Sequence, residues 1–157
     1  MFGFGKKKET IFSPINGEMI ALEEVPDKVF AEKMMGEGVG FILNEKTIYS
    51  PCEGTISMIA ETKHAIGFIT KQGLEILLHI GLDTVALNGK GFTMLKVSGE
   101  TVQPGEPIIQ LDLELLKDAG IDLTTPMVFT NGSEFQLEQI AVPGPIRTSD
   151  TIVMNTK

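Results

Sequence analysis

The chain has almost no cysteine: Cys52 is the single one in 157 residues. A disulfide within it is therefore excluded, and a reducing cytosol suits it. Cys52 stands in SPCEG, a turn-like setting with neither histidine near it in sequence, so it reads as structural and not as a nucleophile. Positive charge is also scarce. Against 21 acidic residues there are 13 basic ones, and a net charge of −8 repels a phosphate backbone, which removes nucleic acid as a partner. No window approaches the roughly 20 consecutive apolar residues of a membrane-spanning helix. The opening MFGFGKKKET places its positive charges after a very short apolar run, unlike a secretory signal. No transmembrane segment is expected, and the expected location is cytoplasmic. Residues 1–9 read as a flexible, solvated tail, with Phe2, Phe4 and Lys6 to Lys8 preferring water to a membrane surface.

What is present is a content of 42% hydrophobic residues, enough for one core, cut into short pieces by 17 glycines and 8 prolines. The pieces are rich in Val, Ile, Phe and Thr, the pattern of an all-β fold: an antiparallel sandwich or barrel-sandwich hybrid with a few short helical turns. Residues 10–157 are expected to form one domain. Helical turns are expected only at Asp27 to Met35 and Leu113 to Ala119, the second closed by Gly120. A weak repeat lays IFSPINGEMIALEE (11–24) over IYSPCEGTISMIAE (48–61). Each copy reads as strand, tight turn and strand, with Pro presetting one dihedral and Gly admitting positive φ three residues later. Related turns follow at VQPGEPI (102–108) and VPGPI (142–146).

Both histidines fall in ETKHAIGFITKQGLEILLHIGLDTV (61–85). Ala65 to Thr70 and Leu74 to Ile80 read as strands joined near Lys71, Gln72 and Gly73. A two-residue turn at Gln72 and Gly73 pairs Lys71 with Leu74, His64 with Gly81 and Ile66 with His79. The two imidazoles then become diagonal neighbours on one face, roughly 7 to 8 Å apart. A three-residue turn would put them on opposite faces. A neutral imidazole is a good nucleophile near pH 7 and can take a phosphoryl group that a second nucleophile later removes. His64 is the candidate to stabilise the added charge, with the Thr62 hydroxyl two residues away. The competing reading is that a histidine on an apolar strand is a satisfied core residue.

Two other chemistries meet the same residues less well. His79 and Asp83 resemble part of a zinc set of the lysostaphin-type peptidases, but the paired His-x-His such a site needs is absent. Lys33 in AEKMMGEG stands where a lipoyl or biotinyl carrier would hold its cofactor, yet its flanks match neither attachment site.

The chain resembles the IIA component of the glucose class in the phosphoenolpyruvate-dependent sugar phosphotransferase system. The likeness runs from about Ile11 to Met154 and is carried by SPINGE (13–18), VPDKVFAEKMMGEGVG (25–40), ETKHA (61–65), LLHIGLDTVALNGKGF (77–92) and the later DLELL and TPMV segments. It implies a phosphotransferase component in which His79 takes the phosphoryl group on Nε2 from the small carrier protein HPr. It further implies that His64 passes the group on to the cysteine of a IIB domain in a glucose-type permease, and that Thr62 orients His64. An apolar docking face is implied at or near Val29, Phe30, Met34, Met35, Leu77 and Val85, with Asp83 at its rim. Adaptable methionines suit such a face, although core is the competing reading for each. No cofactor is required; adventitious or partner-shared zinc could bind His64 and His79. Leu77 replaces the aromatic often found two residues before the active histidine, and Gly67 follows the second histidine where bulkier residues occur. With no IIB or IIC segment attached, the chain is expected to act in trans, as a monomer. The alternative function is a regulatory module that docks on metabolic enzymes or transporters and is gated by phosphorylation.

Overall fold

In the computed structural model, which describes residues 8–156, the two Ser-Pro repeats fold as strand, turn and strand. In the first, Ser13 Oγ donates to the Ile15 carbonyl oxygen at 2.7 Å and accepts from the Ile15 N–H at 3.2 Å. In the second, Ser50 Oγ bonds the carbonyl oxygen and N–H of Cys52 at 2.8 and 3.3 Å. The two turns also hold each other. Phe12 N–H donates to the Pro51 carbonyl oxygen at 2.7 Å, and Tyr49 N–H, its counterpart, to that of Pro14 at 2.8 Å. One expectation is corrected here: Gly17 and Gly54 are not at positive φ. They are required by close approach, because a Cβ would come within 2.7 Å of the Ile42 carbonyl oxygen at Gly17 and 2.2 Å of the Ile69 carbonyl oxygen at Gly54.

Fourteen strands are described: β1 Lys8–Phe12, β2 Gly17–Ala21, β3 Glu37–Leu43, β4 Thr47–Tyr49, β5 Gly54–Ile59, β6 Ala65–Thr70, β7 Glu75–His79, β8 Phe92–Met94, β9 Thr101–Val102, β10 Pro107–Leu111, β11 Thr124–Phe129, β12 Gln136–Gln139, β13 Gly144–Ile146 and β14 Thr151–Thr156. Two short α-helices, α1 Lys28–Ala31 and α2 Leu113–Asp118, and three 3-10 turns, Leu22–Glu24, Thr84–Leu87 and Gly132–Glu134, join them. The pairings are antiparallel and build one eight-stranded sheet, β13-β2-β3-β11-β7-β6-β5-β9, and two of three strands, β1-β14-β12 and β4-β10-β8. The all-β expectation holds. Lys8 and Glu9, read as the end of the tail, belong to β1 and pair with β14; Phe2, Phe4, Lys6 and Lys7 lie outside the described residues. Among the described residues, no helix is long and apolar enough to cross a membrane.

The three sheets close on one core, with Ile11, Met19, Phe41, Ile48, Phe68, Ile109 and Ile152 all at 0% exposure. The segment EILLH of β7 shows how the core sits relative to its outer surface. Ile76, Leu78 and then Ile80 point into that core, so the period of two puts Leu77 and His79 on the other face. There a second, smaller cluster forms from Leu22, Val25, Phe30, Leu82 and Val128, with Leu77 packed against it. Its Phe30 ring lies beside that of His79.

Candidate functional site

The hairpin that carries the histidines differs in register from the sequence reading. β6 and β7 pair Ala65 with His79 and Ile69 with Glu75. The turn therefore holds three residues, Lys71, Gln72 and Gly73, closed by the Thr70 N–H donating to the Leu74 carbonyl oxygen at 2.9 Å. Gly73 has φ +94°, the third position at which such a loop needs a residue free of the L side-chain penalty. Strict alternation would now send His64 to the face opposite His79. The rings meet nonetheless, with centroids 5.0 Å apart and planes at 75°. The reason is that β6 begins at Ala65, so His64 belongs to the loop before it. There Lys63 adopts the left-handed conformation at φ +62° and turns the chain, and Ile80 N–H anchors the His64 carbonyl oxygen at 2.7 Å. Thr62 likewise lies in this loop and not on the strand.

Each ring is held through Nδ1. His79 Nδ1 lies 2.9 Å from the Gly81 carbonyl oxygen. A carbonyl can only accept, so Nδ1 carries the hydrogen and Nε2 keeps its lone pair. His64 Nδ1 is 2.5 Å from Thr62 Oγ1. With the hydroxyl donating, the remaining hydrogen of a neutral His64 sits on Nε2. Burial, and secondarily the neighbouring His79, lower the pKa of His64 below 6.5, so it is neutral at pH 7.

Phe30 and Leu77 form the floor. The Phe30 ring lies 5.2 Å from that of His79 and is itself buried. Val29 (42% exposed), Met34 (68%), Met35 (36%) and Val85 (54%), four of the six residues expected on the apolar face, are large hydrophobics open to solvent. Asp83 is exposed, at φ +60°, and its side chain makes no capping bond to the following turn. Lys33, weighed as a cofactor lysine, is tied in ion pairs to Glu23 at 3.6 Å and Glu37 at 3.3 Å. The thiol of Cys52 is buried and its pKa is pushed up to about 12, mainly by that burial, which makes it inert at neutral pH. Among the described residues, no group of three or more His, Cys, Asp or Glu is placed to hold a metal. His64 and His79 supply two nitrogens, so a zinc ion there would need further ligands from a partner.

Sequence reasoning missed Lys63 and Gly81 as the residues that turn His64 and fix the His79 ring. A Gly two residues after a histidine is the signal that was there to read.

Residues 9–135 match the model of a family described as phosphoenolpyruvate-dependent sugar phosphotransferase system, EIIA 1. The chain belongs to this family. An EIIA relative, the PTS system glucose-specific EIIA component of Staphylococcus epidermidis, is 44% identical over 136 residues, covering 83% of this chain and 82% of that protein. The PTS system glucosamine-specific EIICBA component of Bacillus subtilis is 48% identical over 132 residues, which cover 84% of this chain and 21% of that longer protein. The solved glucose permease IIA from Mycoplasma capricolum is similar in structure, with TM-score 0.87, 35% identity and coverage of 98% of this chain and 99% of that one. The antiparallel sandwich of the EIIA fold is thus shared.

Proposed function

We propose that the chain is the phosphocarrier of a glucose-type sugar uptake system: His79 accepts a phosphoryl group from the phosphohistidine of HPr and gives it to the cysteine of a IIB domain. The observation that carries this reading is the meeting of two imidazoles at 5.0 Å, each held through Nδ1, on an apolar and solvent-open face.

The chemistry follows from the tautomers. His79 Nε2 attacks phosphorus, the nitrogen–phosphorus bond of the donor breaks, and its electron pair returns to the donor ring. The hydrogen on Nδ1 stays, held by Gly81, so the phosphorylated ring is cationic and remains a good leaving group. In the second step a cysteine thiolate attacks phosphorus and the bond to Nε2 breaks, which regenerates the neutral ring. No proton need enter or leave His79 in either step. His64, neutral and with a hydrogen on Nε2, donates to a phosphoryl oxygen and offsets part of the added charge of about −1.5 to −2. Catalysis is then positioning and charge stabilisation in a face that the partner dries.

Incubation with phosphoenolpyruvate, enzyme I and HPr tests the proposal. His79→Ala takes up no label, whereas His64→Gln takes it up but discharges it to IIB slowly. Label retained by His79→Ala would sink the assignment, and equal discharge by His64→Gln and the parent would sink the division of labour.

A further inference from the structure

Gly81 supplies the carbonyl that fixes the His79 tautomer, and it does so from a left-handed backbone at φ +69°. Glycine has many other conformations open to it, so the carbonyl must be held toward the ring by something else. Two threonines hold the peptide unit just before that carbonyl, between Ile80 and Gly81, from its opposite ends. The Thr84 hydroxyl donates to the Ile80 carbonyl oxygen at 2.7 Å, and the Gly81 N–H donates to Thr125 Oγ1 at 3.1 Å. Thr125 gives its own hydrogen to the Leu123 carbonyl oxygen at 3.1 Å, which leaves its oxygen lone pairs for Gly81. Both threonines are at 0% exposure, where water does not compete for these bonds. The turn has little room to shift, since a Cβ on Gly81 would come within 2.8 Å of Thr84 Cγ2. The peptide unit that carries the Gly81 carbonyl is fixed through its own Leu82 N–H, which donates to the Asp122 carbonyl oxygen at 2.9 Å, and on the other side the Ile80 N–H donates to the His64 carbonyl oxygen at 2.7 Å.

We infer that Thr84 and Thr125 are positioning residues for His79, clamping the Ile80–Gly81 peptide so that the Gly81 carbonyl keeps the ring hydrogen on Nδ1 and the lone pair on Nε2. For its kinetic consequence the inference rests on the phosphocarrier reading; for the tautomer it does not. Ring nitrogen-15 NMR of the labelled full chain reads the tautomer directly. The parent shows a single Nδ1–H form. Thr125→Val and Thr84→Val show a mixture with the Nε2–H form and accept phosphoryl from HPr about 10- to 100-fold more slowly, as a misplaced nucleophile does. Thr125→Ser and Thr84→Ser restore both properties. A folded Val variant that keeps the single Nδ1–H form overturns the inference, whatever its rate. Should Thr125→Val fail to fold, Thr84→Val and Thr84→Ser decide by the same spectra. A parent chain that takes up no label would defeat the carrier reading, while the tautomer comparison would still decide the clamp.

Discussion

An imidazole reacts through the nitrogen that its surroundings leave free, and in both histidines that nitrogen is Nε2. The two rings were legible in sequence as a pair, because little else in the chain could carry nucleophilic chemistry. The side chains that hold them were only partly so. Thr62 was readable from its spacing to His64, whereas Thr84 and Thr125 reach Gly81 from separate segments and become visible only when the chain is folded. His64 also gives the protein a pH signature. Its folded pKa is lowered by burial and by His79, while the unfolded chain titrates near 6.5. Between the two values the unfolded chain binds a proton that the folded one lacks. The stability contribution is therefore complete above about pH 6.5 and is lost as pH falls toward the lowered value. Thermal unfolding from pH 5 to 8 is expected to show Tm rising with pH, with a shallower rise in His64→Gln; an unchanged slope in that variant contradicts the assignment.

At the scale of elements, α2 was read almost to the residue because its boundaries are local: Asp112 Oδ1 accepts from the Leu115 N–H at 3.0 Å and Gly120 follows at φ +73°. The helix expected over Asp27 to Met35 shrinks to four residues, since Lys33 at φ +61° and Gly36 at φ +127° turn the chain toward β3. The β6–β7 register was misread because Gly73 serves equally as the second residue of a two-residue turn or the third of a longer one. Local sequence does not choose between them; the pairing with β11 on the far side of β7 helps fix the answer. So short a helix as α1 cannot hold itself and depends on its cap. Asp27 Oδ1 accepts from the Val29 N–H at 2.9 Å, which sets the helix that places Phe30 against His79. Asp27→Ala is expected to cost about 1 kcal/mol in chemical denaturation and to weaken binding of HPr, with Asp27→Asn restoring both. Unchanged HPr affinity in the alanine variant would separate α1 from the docking face.

Over the whole molecule, the fold class was legible because glycine and proline spacing reports short strands, while the order of fourteen strands was not, since it depends on partners far apart in sequence. Glu9 shows such a dependence. Its Oε1 accepts from Thr70 Oγ1 at 2.6 Å and Asn155 Nδ2 at 3.0 Å, and its Oε2 from the Gln72 N–H at 3.1 Å. One carboxylate thus joins β1, β14 and the β6–β7 turn. Glu9→Ala is expected to lower unfolding free energy by about 2–4 kcal/mol, as loss of several bonds to a charged acceptor does. Phosphoryl acceptance by His79 should be unaffected, and the urea midpoint beside the labelling assay checks both halves.

The same pairing decides how the domain is suspended. Lys8 sits across from Thr156, so the first and last described residues leave the body side by side. Glu9 ties this exit to the turn of the β6–β7 hairpin, and the histidines occupy its other end, five residue steps or roughly 17 Å along β6. A leash attached at either terminus therefore hangs from the pole away from the reactive rings.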